Sequence, residues 1–386
     1  MAQEAVDILF QAYPCLDKEV LENLLIASNG SVSETKRVIN DSVFKTCKRR
    51  KAGPQYQASI TSLIGGGNDK GKKGIKPLRN GVIELHNPND VEQHLGPYVT
   101  FYKSFLPSDL SNEVLKYFMD EKGTFETKQF YILENLCISN HKLKFFCDEK
   151  SLDFLTKVIY NGKKNCVNYY NDILKEVARF VEEFINENMI KPSHLLEHLC
   201  KERWHGNACI VNYFENSSNN LDWHSDRMTY IGPHNFIVSI SLGATREFRL
   251  RRKIVDESCG NPIYSLLVPH NSVVIMRPGC QELFKHSVNA MRAPVQLSPI
   301  SGSSRFNITF RFYRRLFADS LPTCYCNLPM TLRTSFKKNE TKGKYFWSCE
   351  NKYQNKDCGC FYWANFQRPE VKYVAESDEE ASCGIK

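Results

Sequence analysis

The chain has 386 residues and a formal net charge of +8; with 24% charged and 42% hydrophobic residues it has the composition of a globular protein, which excludes wholesale disorder. No apolar run reaches the roughly 18 residues of a membrane-spanning helix, and the N-terminus lacks a basic start followed by an apolar core, so neither a membrane nor secretion is the expected address. Ten of the fifteen cysteines are scattered singly, as suits free thiols in a reducing compartment, whereas five crowd together as Cys324, Cys326, Cys349, Cys358 and Cys360.

In chain order, helical spacing of apolar residues predicts three short helices over 3–12, 17–28 and 32–44: Ile8 and Leu9, then Val20, Leu21, Leu24 and Leu25, then Val38, Ile39 and Val43. Pro14 breaks the first pattern, Gly30 ends the second, and Ser33 is placed to cap the third. Between Lys45 and Arg79, ten basic residues accompany the single acid Asp69, together with Gly65, Gly66 and Gly67 and few large apolar residues. Such a stretch cannot bury a core and is expected to be a flexible linker. Its clusters KTCKRRK and KGKKGIK are of the kind that serve as nuclear import signals or as tethers to phosphates; a merely solvated linker is the alternative. From residue 97 the pattern changes. Residues 108–120 and 166–188 read as helices, the second with Ile173, Val177, Phe180, Val181 and Phe184 on one face. Then come the short segments ACIVNYF, FIVSISLG, EFRLRR, YSLLVP, SVVIMRP and RFNITFRFY, which predict two packed sheets in a jelly roll with supporting helices. Glu376, Asp378, Glu379 and Glu380 form an acidic tail.

The candidate chemistry lies on those strands. In LDWHSDR, His224 and Asp226 are two apart, so both side chains leave an extended segment on the same side, and FKHSV adds His286. Two histidines and a carboxylate occupy one face of an octahedral ion, the arrangement of non-haem Fe(II) oxygenases. RFNITFR places Arg305, Asn307 and Arg311 on one face of a strand and Phe306, Ile308 and Phe310 on the other. Guanidiniums pointing into a barrel need an anion, and a dicarboxylate meets that need; a strand with a polar solvent face is the alternative.

Together, NACIVNYF, LDWHSD, SISLGATREF, VVIMRPG, HSV and RFNITFR resemble the AlkB family of Fe(II)- and 2-oxoglutarate-dependent nucleic-acid demethylases, over roughly residues 97–317. The resemblance implies that His224, Asp226 and His286 bind iron, that Arg305 pairs with the far carboxylate of 2-oxoglutarate, and that Arg311 and Asn307 lie near its chelating end. It also implies that Asn212 hydrogen-bonds the cosubstrate. Two positions depart from the family pattern: Phe214 stands where a tyrosine is usual, and Arg227 where an acid commonly contacts the base. Asp222 remains as a carboxylate to face the base, and Phe130 and Tyr131 are candidates for the aromatic lid, with core packing the alternative. The N-terminal unit, with Ala12-Tyr13-Pro14 and Val38-Ile39, resembles a CUE domain, which implies ubiquitin binding; a structural or partner-docking bundle is the alternative. KGKYFWSC followed by CGCFYW resembles a GRF-type zinc finger, which implies zinc on Cys324, Cys326, Cys349 and Cys358, with Cys360 the rival for the last position. Lys344 takes the place of the signature arginine, and Lys344 and Trp347 are candidates for contacts with single strands.

The expected chain is thus α+β and multidomain: a CUE-like bundle over 1–44, a basic linker over 45–80, a double-stranded β-helix over 81–320, a zinc finger over 321–370 and the tail over 371–386. The expected function is oxidative demethylation of N-alkylated bases, in single-stranded DNA ahead of RNA, in the nucleus and also the cytoplasm, using Fe(II), 2-oxoglutarate and zinc. A recruitment factor with a barrel that only binds is the alternative.

Overall fold

The computed structural model describes residues 2–39 and 81–366 apart from short internal stretches, the longest being 13–20, 191–199, 254–260 and 350–359. The basic linker, the acidic tail, Tyr13, Pro14 and the side chains of Val38 and Ile39 lie outside the described residues. The chain forms two units, Met1–Lys73 and Gly74–Lys386.

In the first unit, helices α1 (Ala2–Ala12) and α2 (Val32–Ile39) are too short to persist alone and hold through their apolar sides. Val6 and Leu9 bury against Leu21 and Leu25, with Ala5, Phe10 and Val32 packed on them. The cap of α2 is Ser31 rather than the expected Ser33: the Ser31 Oγ accepts from the Glu34 N–H (3.3 Å), while Ser33 already lies within the helix.

The second unit is built on strands β1 (Val82–Leu85), β2 (Val99–Tyr102), β3 (Glu126–Ile132), β4 (Asn135–Cys147), β5 (Ile159–Tyr160), β6 (Lys163–Lys164), β7 (Val167–Tyr169), β8 (Ala208–Phe214) and β9 (Leu221–His224). It continues with β10 (Ile237–Gly243), β11 (Arg246–Arg252), β12 (Ile263–Val268), β13 (Ser272–Met276), β14 (Phe284–Val288), β15 (Arg305–Arg311), β16 (Thr331–Thr334), β17 (Tyr345–Ser348) and β18 (Phe361–Trp363). The larger sheet runs β2-β13-β10-β15-β8-β4-β3 with β7 beside β4, and the smaller runs β1-β12-β11-β14-β9. Their facing sides share one apolar core that includes Phe145, Phe214, Phe248, Leu250, Leu266 and Met276. On its other side the larger sheet presents Phe306, Ile308 and Phe310 to helices Ser108–Asp120 and Asp172–Phe184, which bury Val114, Phe118, Val177 and Val181 there. This is the expected jelly roll with helices on one face. The expected helix over 166–188 is shorter: residues 167–169 pair in parallel with β4, and the Asn171 side chain, accepting from the Leu174 N–H (2.9 Å), starts the helix only afterwards.

Strand β15 lies in the middle of the larger sheet, between β10 and β8, so its alternation is imposed from both sides. Phe306 stacks on Tyr213 at 4.6 Å on the helix side, and Arg305, Asn307, Thr309 and Arg311 face the barrel interior. Gly243, at φ 95°, lets β10 pass the start of β15, because a Cβ there would lie 2.4 Å from the Ser304 carbonyl.

Behind the helices, His205 clamps three segments: Nε2 meets Asp148 Oδ2 at 2.6 Å and Nδ1 meets Glu182 Oε1 at 2.5 Å. Only the imidazolium donates from both nitrogens, and the Asp148 bond, then the Glu182 bond, raise His205 to about 9. A raised folded-state value means that the contribution is complete below the unfolded value of about 6.5 and disappears as pH rises through 9. The urea midpoint of the wild type is therefore expected to fall more between pH 6 and pH 9.5 than that of His205→Gln; parallel pH profiles would refute the clamp.

Candidate active site

Three side chains converge at the open end between the sheets. His224 closes β9, its partner across the ladder is His286 of β14, and Asp226 follows in the loop after β9. The His224 and His286 rings lie 4.2 Å apart; Asp226 Oδ1 is 3.8 Å from His224 Nε2 and 4.0 Å from His286 Nε2. One potential ligand atom from each residue falls within 4.8 Å of the other two. His224 Nδ1 donates to the Asp222 carbonyl (2.7 Å), which orients the ring with Nε2 toward Asp226. Burial, with His224 beside it, pushes His286 down to about 3, so its imidazole is neutral. Burial alone would raise the Asp226 carboxyl, but Arg311, aided by His286 and His224, holds it below the ordinary value. Both Nε and Nη2 of Arg311 reach Asp226 Oδ2 at 2.7 Å, so Oδ1 is the oxygen left to a metal. Two imidazoles and one fixed carboxylate, their ligand atoms within 4.8 Å of one another, fit a divalent iron with open positions.

Deeper in the barrel, Arg305 is 1% exposed and lies opposite Phe214, its guanidinium 5.2 Å from the ring centroid. Nη2 donates to Ser241 Oγ (2.9 Å) and Asn307 Oδ1 (2.7 Å), while Nε and Nη1 are buried with no hydrogen-bond partner. Burial, reinforced by Arg246, brings this guanidinium down to about 9. Among the described residues this buried cation has two open donor nitrogens and no counter-ion, which fits a carboxylate as its partner. Asn307 also donates to Ser239 Oγ (2.9 Å) and Thr309 Oγ1 (3.0 Å), and so orients Arg305. Asn212 is buried opposite Asn307 on β8.

Sequence reasoning missed four supports of this arrangement. Arg246, fully buried, donates to the carbonyls of Asn216 (3.0 Å), Asn219 (2.6 Å) and Asn289 (2.7 Å), stapling the loops beside both histidines. Its signal was its parity with Phe248 and Leu250 on β11. His141 stacks on Phe214 at 5.3 Å and binds the Asn220 carbonyl (3.1 Å). Gln281 accepts the Asp226 N–H (2.8 Å). Lys128 of β3 is half-buried and lowered to about 8 by burial and by the nearby charges of Arg227 and Arg311. Arg227 is half-buried, and Asp222 is exposed, its carboxylate accepting from Asn220 Nδ2 (2.8 Å). Phe130 and Tyr131 fall on β3, but their side chains lie outside the described residues.

In the C-terminal module, the sulfurs of Cys324 and Cys326 are 3.3 Å apart and those of Cys326 and Cys349 3.5 Å apart. Three thiols so close fit a tetrahedral thiophilic ion such as zinc. Cys358 lies outside the described residues; Cys360 is buried, and its sulfur is not among the three that cluster. Lys344 is exposed, as a phosphate contact requires. Trp347 is not available to a strand: at 1% exposure it packs with Met330, Leu332 and Phe317, because β17 turns its odd residues inward.

A family model described as the 2OG-Fe(II) oxygenase superfamily matches residues 98–311. The alpha-ketoglutarate-dependent dioxygenase alkB homolog 3 of Homo sapiens is 32% identical over 109 residues, 27% of this chain and 36% of that protein. The DNA oxidative demethylase ALKBH2 of Arabidopsis thaliana is 28% identical over 123 residues, 27% of this chain and 37% of that protein. The chain thus spans little more than a third of the length of these curated relatives. The solved structure of OsALKBH1 covers 57% of this chain and 99% of its own, with 18% identity and a TM-score of 0.35.

Two outcomes follow. Arg305→Ala is expected to raise the half-saturating 2-oxoglutarate concentration about 10- to 100-fold, the value of one charge-assisted pair, in a titration of succinate formation. An unchanged curve would remove Arg305 from the cosubstrate site. Trp347→Ala is expected to lower stability by about 3–5 kcal/mol in denaturant unfolding, as for a buried aromatic; a loss of single-strand binding at unchanged stability would make the ring a base platform after all.

Proposed function

The chain belongs to the 2OG-Fe(II) oxygenase superfamily, and on that premise we propose that it is an AlkB-type dioxygenase that oxidatively demethylates N-alkylated bases in single-stranded nucleic acid, DNA ahead of RNA, in alkylation-damage repair. The observation that carries this reading is the cluster of His224, Asp226 and His286 together with the open donors of Arg305, which faces the same side of β15 as the Arg311 that bonds Asp226. Iron, when bound there, supplies dioxygen chemistry that releases the methyl group as formaldehyde while 2-oxoglutarate becomes succinate and CO2. An aromatic N-methyl group offers hydrolysis little purchase, so an oxidative route suits it.

The chain's own residues divide the work. Arg305 anchors the far carboxylate, Asn307 and Asn212 orient the cosubstrate pocket, and Arg311 reserves one oxygen of Asp226 for the metal. The choice of a nucleic acid rests on the demethylase name of the Arabidopsis thaliana relative and on the local motif match. Single-stranded targets spare the cost of flipping a base out of a duplex. Lys128, Arg227 and the exposed Lys344 supply positive charge for a phosphate backbone, and Asp222 a carboxylate at the mouth. In the same reading Cys324, Cys326, Cys349 and Cys358 hold zinc, the helical N-terminal unit docks ubiquitin or a ubiquitinated protein, and the basic stretch over 45–80 directs the chain to the nucleus.

The test is succinate formation with and without a methylated oligonucleotide. Stimulation by methylated over unmethylated single strands, with formaldehyde released in equal amount, is the expected result, and His224→Ala and Asp226→Ala are expected to abolish it while leaving the circular dichroism unchanged. Turnover indifferent to methylation would remove the demethylase reading, and turnover in His224→Ala would remove the iron assignment.

A further inference from the structure

The cysteine module is packed onto the back of the loops that carry the iron ligands. Tyr345 of β17, 6% exposed, donates its hydroxyl to Glu282 Oε1 (3.1 Å), and the same oxygen accepts the His234 N–H (2.8 Å). Glu282 is itself 5% exposed and stands next to Gln281, whose Oε1 holds the Asp226 N–H at 2.8 Å and whose Nε2 donates to Met276 Sδ (3.1 Å). A second bond joins the Leu332 N–H of β16 to Thr229 Oγ1 (3.2 Å), three residues beyond Asp226. Met228, two residues beyond Asp226, belongs to the module's own core with Met330, Leu332 and Trp347. From the barrel side, Lys253 donates to the Gln281 carbonyl (2.5 Å) and lies 5.8 Å over the ring of Phe336. The turn Cys280–Leu283 leads directly into β14 and His286. Two of the three metal ligands thus follow or precede segments gripped by the same module.

We propose that the cysteine module is a positioning element of the iron centre. Tyr345 and Glu282 are positioning residues that fix the Gln281–Glu282 turn, which in turn fixes the backbone of Asp226; the folded state of the thiol cluster therefore sets Fe(II) affinity. This rests on the iron assignment of His224, Asp226 and His286. The chemistry is that of an outer hydrogen-bond shell: a carboxylate ligand whose backbone is held by one amide loses its geometry when that amide's own support is cut.

The experiment uses the full chain and anaerobic Fe(II) titration in the presence of 2-oxoglutarate, read by the visible charge-transfer absorption of the complex, with the thermal midpoint recorded alongside. Tyr345→Phe removes one hydroxyl and no packing volume, and is expected to weaken Fe(II) binding about 10-fold. Glu282→Ala is expected to weaken it at least as much, whereas Glu282→Gln, which keeps the accepting Oε1, restores affinity to within about twofold of the wild type. Wild-type affinity in both Tyr345→Phe and Glu282→Ala would overturn the inference alone. A wild-type chain that takes up no Fe(II) would overturn the reading of the site itself, and this inference with it.

Discussion

A carboxylate buried at the mouth of a barrel is the constraint on which the rest of the structure depends. Asp226 is 7% exposed, and an isolated anion in such a place is costly enough that it would take up a proton instead. Arg311 prevents this by bonding Oδ2 twice from the central strand of the larger sheet. The loop that carries Asp226 is therefore tied to β15, while His224 and His286 arrive from the smaller sheet. The ligand set exists only when the two sheets are packed, so the jelly roll core and the metal site stand or fall together.

Two other buried arginines show how the same residue type serves opposite ends. Arg246 and Arg305 approach the ring of Phe214, at 5.5 and 5.2 Å from its centroid. Arg246 gives its charge to three carbonyls and thereby closes loops. Arg305 is surrounded by side-chain oxygens that satisfy only Nη2, so its remaining donors wait for a ligand. The difference lies in the neighbours each side chain meets: loop carbonyls that must be satisfied, or a central strand that offers a single amide and a hydroxyl. Phe214 suits this position because a ring without a hydroxyl tolerates cations near its faces and competes for none of their donors.

Much of this was legible in the sequence. A strand has period two, so His224 with Asp226, and Arg305 with Asn307 and Arg311, could be placed on common faces without knowing the fold. The strand segments expected between residues 208 and 313 alternate or are wholly apolar, and β8, β10, β11, β12, β13 and β15 stand on them. The strands β1 to β7 and β16 to β18 were not legible. Their segments are short or, as in β4, carry exposed polar residues on an edge region, so tertiary pairing decides what local pattern does not. Gln281, Glu282 and Tyr345 were invisible for a related reason. Each is an ordinary polar residue until the chain folds, and 63 residues separate Tyr345 from the carboxylate it bonds. Trp347 misled because basic and aromatic residues alternate around it, a pattern that also arises when a strand turns its aromatic face inward.

The size of the C-terminal module explains why it leans on the barrel. A segment of this length cannot gather a self-sufficient core, and small folds of this kind rely on a metal, a crosslink or a neighbour. This module draws on two of these: three thiols placed for an ion, and an apolar cluster completed by Met228 and Phe317 from the jelly roll side. Met228 lies in the loop of Asp226, and Phe317 in the turn Arg315–Asp319 that follows the strand of Arg311. The residues borrowed to bury the module are thus neighbours in sequence of the ion pair that organises the iron site. In the proposed arrangement, chain connectivity as well as contact links burial in the module to ligand geometry at the metal, over two to six residues of backbone.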